Sequence, residues 1–260
     1  MKIKVLGTRG SFVSVQEDKK YYGRNSSCYY VDAGMHLFLD AGSGILNSER
    51  LTADEKPIHI LLSHLHIDHV LGLFECPFLY ETGRKVYIYG ERRKGKSLSQ
   101  QLDALIGPPY WPVKLSGFPC ALHFHEIEEG KDFMIEDLKV SLMRSCHPDD
   151  CLSFALEKDG KKLGYALDHE AALDKEKKAE RFFENCDLLI FDGNDLPGHN
   201  KAGYGHSDYT QGISLCKTAG IKKLLISHYG YTEDDATLKA EEDKAGNSCV
   251  FGKEGMEIVI

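Results

Sequence analysis

The stretch Ser63-His-Leu-His-Ile-Asp-His-Val70 places His64, His66, Asp68 and His69 within six positions. Imidazoles and a carboxylate crowded into one loop repel when protonated and are costly to desolvate without a partner. A bound cation removes both objections. The apolar run Ile58–Leu62 reads as a buried strand leading into the loop. His64 and His66 therefore stand just past its C-terminal end, and residues two apart in extended backbone share a face, so both can grip one ion. Asp68 and His69 come after the chain turns and aim elsewhere. Two ligand pairs with different directions predict two adjacent divalent ions. The loop is too small to hold both, and three residues at other strand ends can complete them. His147 follows the run Leu138–Met143, Asp168 closes "LGYALD" and His228 closes "LLISH". Open sheets present such strand-end side chains to a shared crevice.

The remaining histidines carry less chemistry. His123 and His125 alternate along a strand and are expected to face solvent, while His36 and His59 lie inside strands as structural residues. His169 and His199 are left unassigned. The eight cysteines (28, 76, 120, 146, 151, 186, 216 and 249) form no C-x-x-C pair. That usage fits buried, reduced thiols in a cytoplasmic protein better than a disulfide framework. Cys146 and Cys151, on either side of His147, are expected to pack rather than ligate.

Elements must exist to position these side chains. Short apolar, β-branched runs bounded by Gly, Asp, Asn or Pro read as strands: 3–6, 28–31, 36–39, 58–62, 85–89 and 121–124, then 138–143, 152–156, 163–166, 188–191, 223–226 and 257–260. Helical patterns fall at 97–106, 173–184, 208–219 and 233–244. In the third, Tyr209, Ile213 and Cys216 make one apolar stripe. Ser207 is its expected N-cap, with Asp208 in the first turn. The order predicts an α/β (α+β) architecture, two packed sheets with helices outside. Gly107-Pro-Pro-Tyr-Trp-Pro112 reads as a rigid loop, and no linker divides residues 1–260, so a single domain is expected.

The formal net charge of −8 argues against nucleic acid as the main partner, since nucleic-acid footprints are usually basic. Arg92-Arg93-Lys94 with Lys96 is the only dense basic stretch and reads as a solvated loop. No run of about 18 apolar residues predicts a membrane span.

"SHLHIDH" resembles the H-x-H-x-D-H signature of the metallo-β-lactamase-fold hydrolases, and the likeness extends over nearly the whole chain. It takes in "GTRGS", "YGRNSSC", "FLDAGSG", "HP" at 147–148, "YALDHE", "GHS" at 205–207 and "SHYG" at 227–230. The resemblance implies a four-layer αβ/βα sandwich in which His64, His66 and His147 hold one metal. Asp68, His69 and His228 would hold the other, with Asp168 bridging. Asp40 would orient a ligand histidine, a support such ligands usually need. Zinc is the expected metal, with manganese or iron compatible with an all-N/O ligand set.

Two ions sharing a hydroxide suit hydrolysis of esters, thioesters, lactams and phosphodiesters alike, so other residues must choose the substrate. His206 stands beside a helix N-terminus that favours an anion, and can donate a proton to a leaving alkoxide or hold a phosphoryl oxygen. It resembles the extra histidine of the phosphodiesterase branch, which includes tRNase Z and the cyclic ribose-phosphate phosphodiesterase of phosphonate breakdown. Only 20 residues separate His147 from Asp168, too few for the tRNA-gripping arm of tRNase Z. Cys28 stands alone where the phosphonate-pathway enzyme has a cysteine-rich zinc site. Arg24, where close relatives often have glycine, is a candidate to meet a phosphate. The expected activity is hydrolysis of a small, possibly cyclic, phosphodiester by a bridging hydroxide, with Asp68 orienting it or accepting its proton. A thioester or lactone hydrolase is the alternative, and a silent metal-binding sensor is less favoured because the ligand set is complete.

Overall fold

The structure is a computed structural model that describes residues 1–260. The first half of the chain forms β1 (Lys2–Gly7), β2 (Cys28–Asp32), β3 (His36–Leu39), β4 (Ile58–Leu61), β5 (Lys85–Glu91) and β6 (Ala121–Ile127). The second half forms β7 (Phe133–Ile135), β8 (Leu138–Arg144), β9 (Leu152–Lys158), β10 (Lys161–Ala166), β11 (Leu188–Asp192), β12 (Leu224–Ser227) and β13 (Val250–Phe251). A final strand, β14 (Glu257–Val259), returns to pair with β1. Two seven-stranded sheets result, ordered β14-β1-β2-β3-β4-β5-β6 and β13-β12-β11-β10-β9-β8-β7. From β3 to β6, and from β10 to β13, neighbours are parallel.

Three buried apolar clusters separate four layers. Val5, Val31, Leu39, Phe154, Leu156, Tyr165 and Ile190 belong to the one between the sheets. Ile58, Ile60, Val86 and Ile88 point the other way and meet α1 (Ile67–Val70) and α2 (Leu98–Leu105). Leu189, Phe191, Leu224 and Ile226 meet α3 (Lys178–Phe182), α4 (Tyr209–Ala219) and α5 (Asp235–Ala245). Central strands are thus covered on both faces, which is why they read as continuous apolar runs. This is the four-layer αβ/βα sandwich expected above.

Some local expectations are corrected. The helix expected at 173–184 contracts to a single 3₁₀ turn at Ala171–Leu173 and the short α3. Lys177 sits in the left-handed region (φ 52°), and the Asp174 carboxylate accepts from the N–H groups of Lys178 and Ala179, at 2.9 and 2.8 Å, so the helix begins only there. Asp208, not Ser207, caps α4: its side chain accepts from the N–H groups of Thr210 and Gln211, and the Gln211 side chain answers at the Asp208 N–H. β7 and β13, of three and two residues, are too short to leave a periodic signal.

His36 is satisfied at both nitrogens, by Tyr30 and Asp54. His59 is satisfied only at Nδ1, by the Tyr89 hydroxyl; its buried Nε2 has no partner. His123 and His125 are exposed, stacked on Tyr87 and Tyr89 with ring centroids 4.7 and 4.9 Å apart. No helix is long and apolar enough to cross a membrane.

All eight cysteines are unpaired, and burial pushes the thiols of Cys28, Cys76 and Cys151 well up. Titration with a thiol reagent in denaturant is therefore expected to recover all eight. A shortfall of one pair in freshly prepared protein contradicts this. In the native state only half-buried Cys146 and Cys216 are accessible enough to react early.

Candidate metal centre

Every expected ligand lies at one rim of the sandwich, beyond the C-terminal ends of β3, β4, β8, β10, β11 and β12. His64 and His66 follow β4, and His66 occupies the N-cap position of α1, so one turn of helix lifts Asp68 and His69 to a different heading. Asp40 and His228 directly past a strand, and Asp168 two residues past one, take the left-handed backbone region, with φ of 55°, 65° and 51°. That reversal swings the side chain back over the strand end into the crevice. Ser11 (φ 65°) turns the β1 loop in the same way, and its N–H donates to Asp68 Oδ2 at 2.8 Å.

The side chains gather into two groups joined by one carboxylate, and His206 makes a third with Asp168 and His228. Ligand-capable atoms of His64, His66, His147 and Asp168 lie within 4.8 Å of one another, as do those of Asp68, His69 and His228. Asp168 faces both. Its Oδ1 lies 3.5 Å from His147 Nε2 and 4.0 Å from His64 Nε2, and its Oδ2 lies 2.9 Å from His69 Nε2 and 3.2 Å from His228 Nε2. His64 Nε2, His69 Nε2, His228 Nε2 and Asp168 Oδ2 are all buried without a hydrogen-bond partner. One such orphan costs on the order of 1–3 kcal/mol. Four aimed at one another are what a site for cations requires, so the residues present fit divalent metals.

The nitrogen that faces away from the crevice is held in most of the imidazoles. His69 Nδ1 meets Asp40 Oδ2 at 2.7 Å, His228 Nδ1 meets Ser27 Oγ at 2.7 Å, His147 Nδ1 meets the Asp149 carbonyl at 2.7 Å and His64 Nδ1 meets Ser63 Oγ at 3.1 Å. Such contacts fix ring orientation and leave Nε2 for the metal. Asp40 thus takes the place expected for it, with more support than sequence reveals. It also accepts from the Ser63 N–H and hydroxyl at 2.7 and 2.8 Å, and from the Tyr165 hydroxyl at 2.6 Å.

Electrostatics agree with the geometry. Burial, then the neighbouring His69, pushes His64 well below the usual imidazole range, and burial with His147 lowers His66. Both are therefore neutral. Burial opposes charge on Asp168, but His228, His69 and His64 outweigh it and hold its carboxyl well down. Burial likewise opposes a charged His69, yet Asp68, Asp168 and Asp40 raise it far above the ordinary value.

His206 reaches the crevice from the loop before α4. Its Nδ1 lies 2.9 Å from Asp192 Oδ2 and 3.9 Å from Asp168 Oδ1. Burial works against its charge, but Asp192 first, then Asp168 and Asp195, raise it to about 9. The buried Glu170 carboxylate clamps this loop, accepting from the N–H groups of Gly203 and Gly205 at 2.9 and 3.0 Å. A Cβ on Gly205 would lie 2.1 Å from His147 Cδ2, so only glycine lets the loop lie against that ring.

Asp192, Glu170, Ser27, Ser63 and Tyr165 were not anticipated. For Asp192 a signal existed, since it ends a strand before glycine much as Asp40 follows β3. Arg24 pairs with the exposed Glu17 at 2.9 Å. His169 is buried, with Nδ1 accepting from the Cys146 N–H at 3.3 Å, while His199 lies in an exposed turn. Ser207, displaced as a cap, donates its hydroxyl to the His169 carbonyl at 2.6 Å.

The β-lactamase superfamily domain matches residues 31–229. The chain belongs to the β-lactamase superfamily. Among superfamily members, a protein named ribonuclease Z from Archaeoglobus fulgidus is 22% identical, covering 100% of this chain and 97% of its own. The crystal structure of the metallo-β-lactamase fold protein YhfI from Bacillus subtilis superimposes with a TM-score of 0.76 at 18% identity, covering 99% of both chains. A diphosphatase of the PhnP family superimposes with a TM-score of 0.74 at 14% identity, covering 100% of this chain and 97% of that one. At these identities the superfamily structures establish the fold. The His/Asp cluster marks this superfamily member as a divalent-metal protein.

Proposed function

We propose that this metal-dependent hydrolase is a phosphodiesterase acting on a small phosphodiester, cyclic diesters included, with two ions, zinc foremost, held by His64, His66 and His147 and by Asp68, His69 and His228, and with Asp168 between them. The observation that carries the reading is His206. Asp192 occupies its Nδ1, which leaves Nε2 to address a group lying across the crevice. The ions supply an activated water and charge for the phosphoryl oxygens. The chain's own residues do the rest. Asp68, fixed by the Ser11 N–H, orients the attacking water or accepts its proton, and His206 delivers a proton to the departing oxygen.

A small substrate is favoured over nucleic acid by what separates His147 from Asp168. That interval is filled by β9 and β10, joined through Asp159-Gly160, with no projecting arm. The acidic balance supports the same reading. Relatives bearing the names ribonuclease Z and diphosphatase are consistent with phosphoryl chemistry. Eight unpaired cysteines favour a reducing compartment, the cytoplasm.

A panel on metal-loaded protein tests the assignment: bis(4-nitrophenyl) phosphate, a ribose cyclic phosphodiester, an acyl thioester and a lactone. Turnover is expected on the diesters, at least tenfold above the others in kcat/KM, a gap of about 1.4 kcal/mol in transition-state stabilisation. Vigorous thioester or lactone hydrolysis without diesterase activity overturns it.

A further inference from the structure

The side-chain Nδ2 of Asn194 is buried without a hydrogen-bond partner, as are His64 Nε2, His69 Nε2, His228 Nε2 and Asp168 Oδ2. Buried polar atoms in native proteins are nearly always paired, so each exception calls for an ion, a water or a ligand. The two ligand groups account for the other four. An amide nitrogen donates two hydrogens and does not bind a metal, so Asn194 needs a different partner.

The backbone around it is fixed. Asn194 stands two residues past β11, and its N–H donates to Asp192 Oδ1 at 2.8 Å. The other oxygen of that carboxylate meets His206 Nδ1 at 2.9 Å, so one side chain places both residues on the same wall of the crevice. The Gly193 N–H donates to the Ser227 carbonyl at 2.7 Å, which ties the segment to the residue before His228. The side-chain amide then lies against Gly10. A Cβ on Gly10 would be 2.4 Å from Asn194 Nδ2 and 2.8 Å from His228 Nε2. The amide nitrogen and the metal-facing imidazole nitrogen thus border one small space, which any residue but glycine at position 10 would fill. The next residue is Ser11, whose N–H holds Asp68. Asp68, Asp168 and Asp192 all line the crevice, yet none accepts from Asn194 Nδ2. The donor is left free.

We infer that Asn194 is a catalytic residue whose Nδ2–H donates to a non-bridging oxygen of the phosphoryl group under attack. The inference rests on the diesterase reading above. A neutral, preorganised donor in a site shielded from water acts most strongly where negative charge develops in the transition state, and no proton needs to move. The division of labour with His206 is clear. His206 serves the oxygen that leaves, and Asn194 one that stays on phosphorus.

Asn194→Ala, and Asn194→Leu with similar bulk but no donor, are expected to keep the parent's metal content and to lose about 10²- to 10³-fold in kcat. The loss should be the same on an alkyl diester and on bis(4-nitrophenyl) phosphate, because the leaving group is not involved. Calorimetry on the metal-loaded protein gives a readout apart from turnover. Orthovanadate, whose trigonal-bipyramidal adducts resemble the transition state, should bind both variants at least about tenfold more weakly than the parent, and inorganic phosphate within about threefold. Undiminished kcat in both variants overturns the assignment. So does loss of an ion, which would make Asn194 a ligand, or a loss confined to the alkyl diester, which would make it a support for His206 through Asp192. If the vanadate difference holds while the parent turns over no diester, the donor stands and the diesterase reading falls.

Discussion

His206→Ala is expected to retain its full metal content while kcat on an unactivated alkyl phosphodiester falls by roughly 10²- to 10⁴-fold, the range of general-acid assistance. The retention follows from geometry. Its Nδ1 is engaged with Asp192, and, although His206 also lies within ligating distance of Asp168 and His228, the seven other side chains form two ligand groups without it. The loss follows from the leaving group. An alkoxide departs poorly unless protonated, and the His206 ring lies 5.5 Å from that of His228 and 6.2 Å from that of His147, over the space between the two groups. A 4-nitrophenolate departs unaided, so the same variant should lose far less on a nitrophenyl diester. The comparison is internal to one protein and independent of the natural substrate. Equal losses on both diesters with metal intact would make His206 a binding residue, and loss of metal would make it a ligand.

Asp168→Ala is expected to lower bound metal by more than one ion per chain, whereas His66→Ala lowers it by about one. Asp168 is the one side chain with an oxygen toward each group, so its removal opens both at once. His66 belongs to the first group alone. The loss of affinity should exceed the 10–100-fold that attends removal of an outer partner. Elemental analysis after reconstitution, with circular dichroism to confirm folding, decides the matter. Equal losses in the two variants would mean that Asp168 serves a single ion.

The part of this site that could be read from sequence is the part encoded locally. The crowding of His64, His66, Asp68 and His69, and the strand-end positions of His147, Asp168 and His228, are visible because a strand's end is a local event. Asp40, which meets His69 across 29 positions, is legible only through the family resemblance. What escaped is what only packing brings together. Ser27 reaches His228 across 201 positions, and Tyr165 reaches Asp40 across 125. Nothing local distinguishes either from any other serine or tyrosine. The displaced cap has a similar origin. Ser207 and Asp208 both suit the N-cap, and the choice was made by the His169 carbonyl, which draws the serine hydroxyl away.

The backbone at Ser11, Asp40, Asp168 and His228 has an energetic consequence. For residues other than glycine the left-handed conformation costs up to about 1–2 kcal/mol each, less for aspartate and histidine, which adopt it more readily. A domain is ordinarily stable by only about 5–15 kcal/mol. The crevice therefore draws on stability that the three apolar clusters provide. Glycine at Asp40, Asp168 or His228 would relax the backbone while removing a ligand or its orienting carboxylate, whereas at Ser11 it would keep the N–H that holds Asp68.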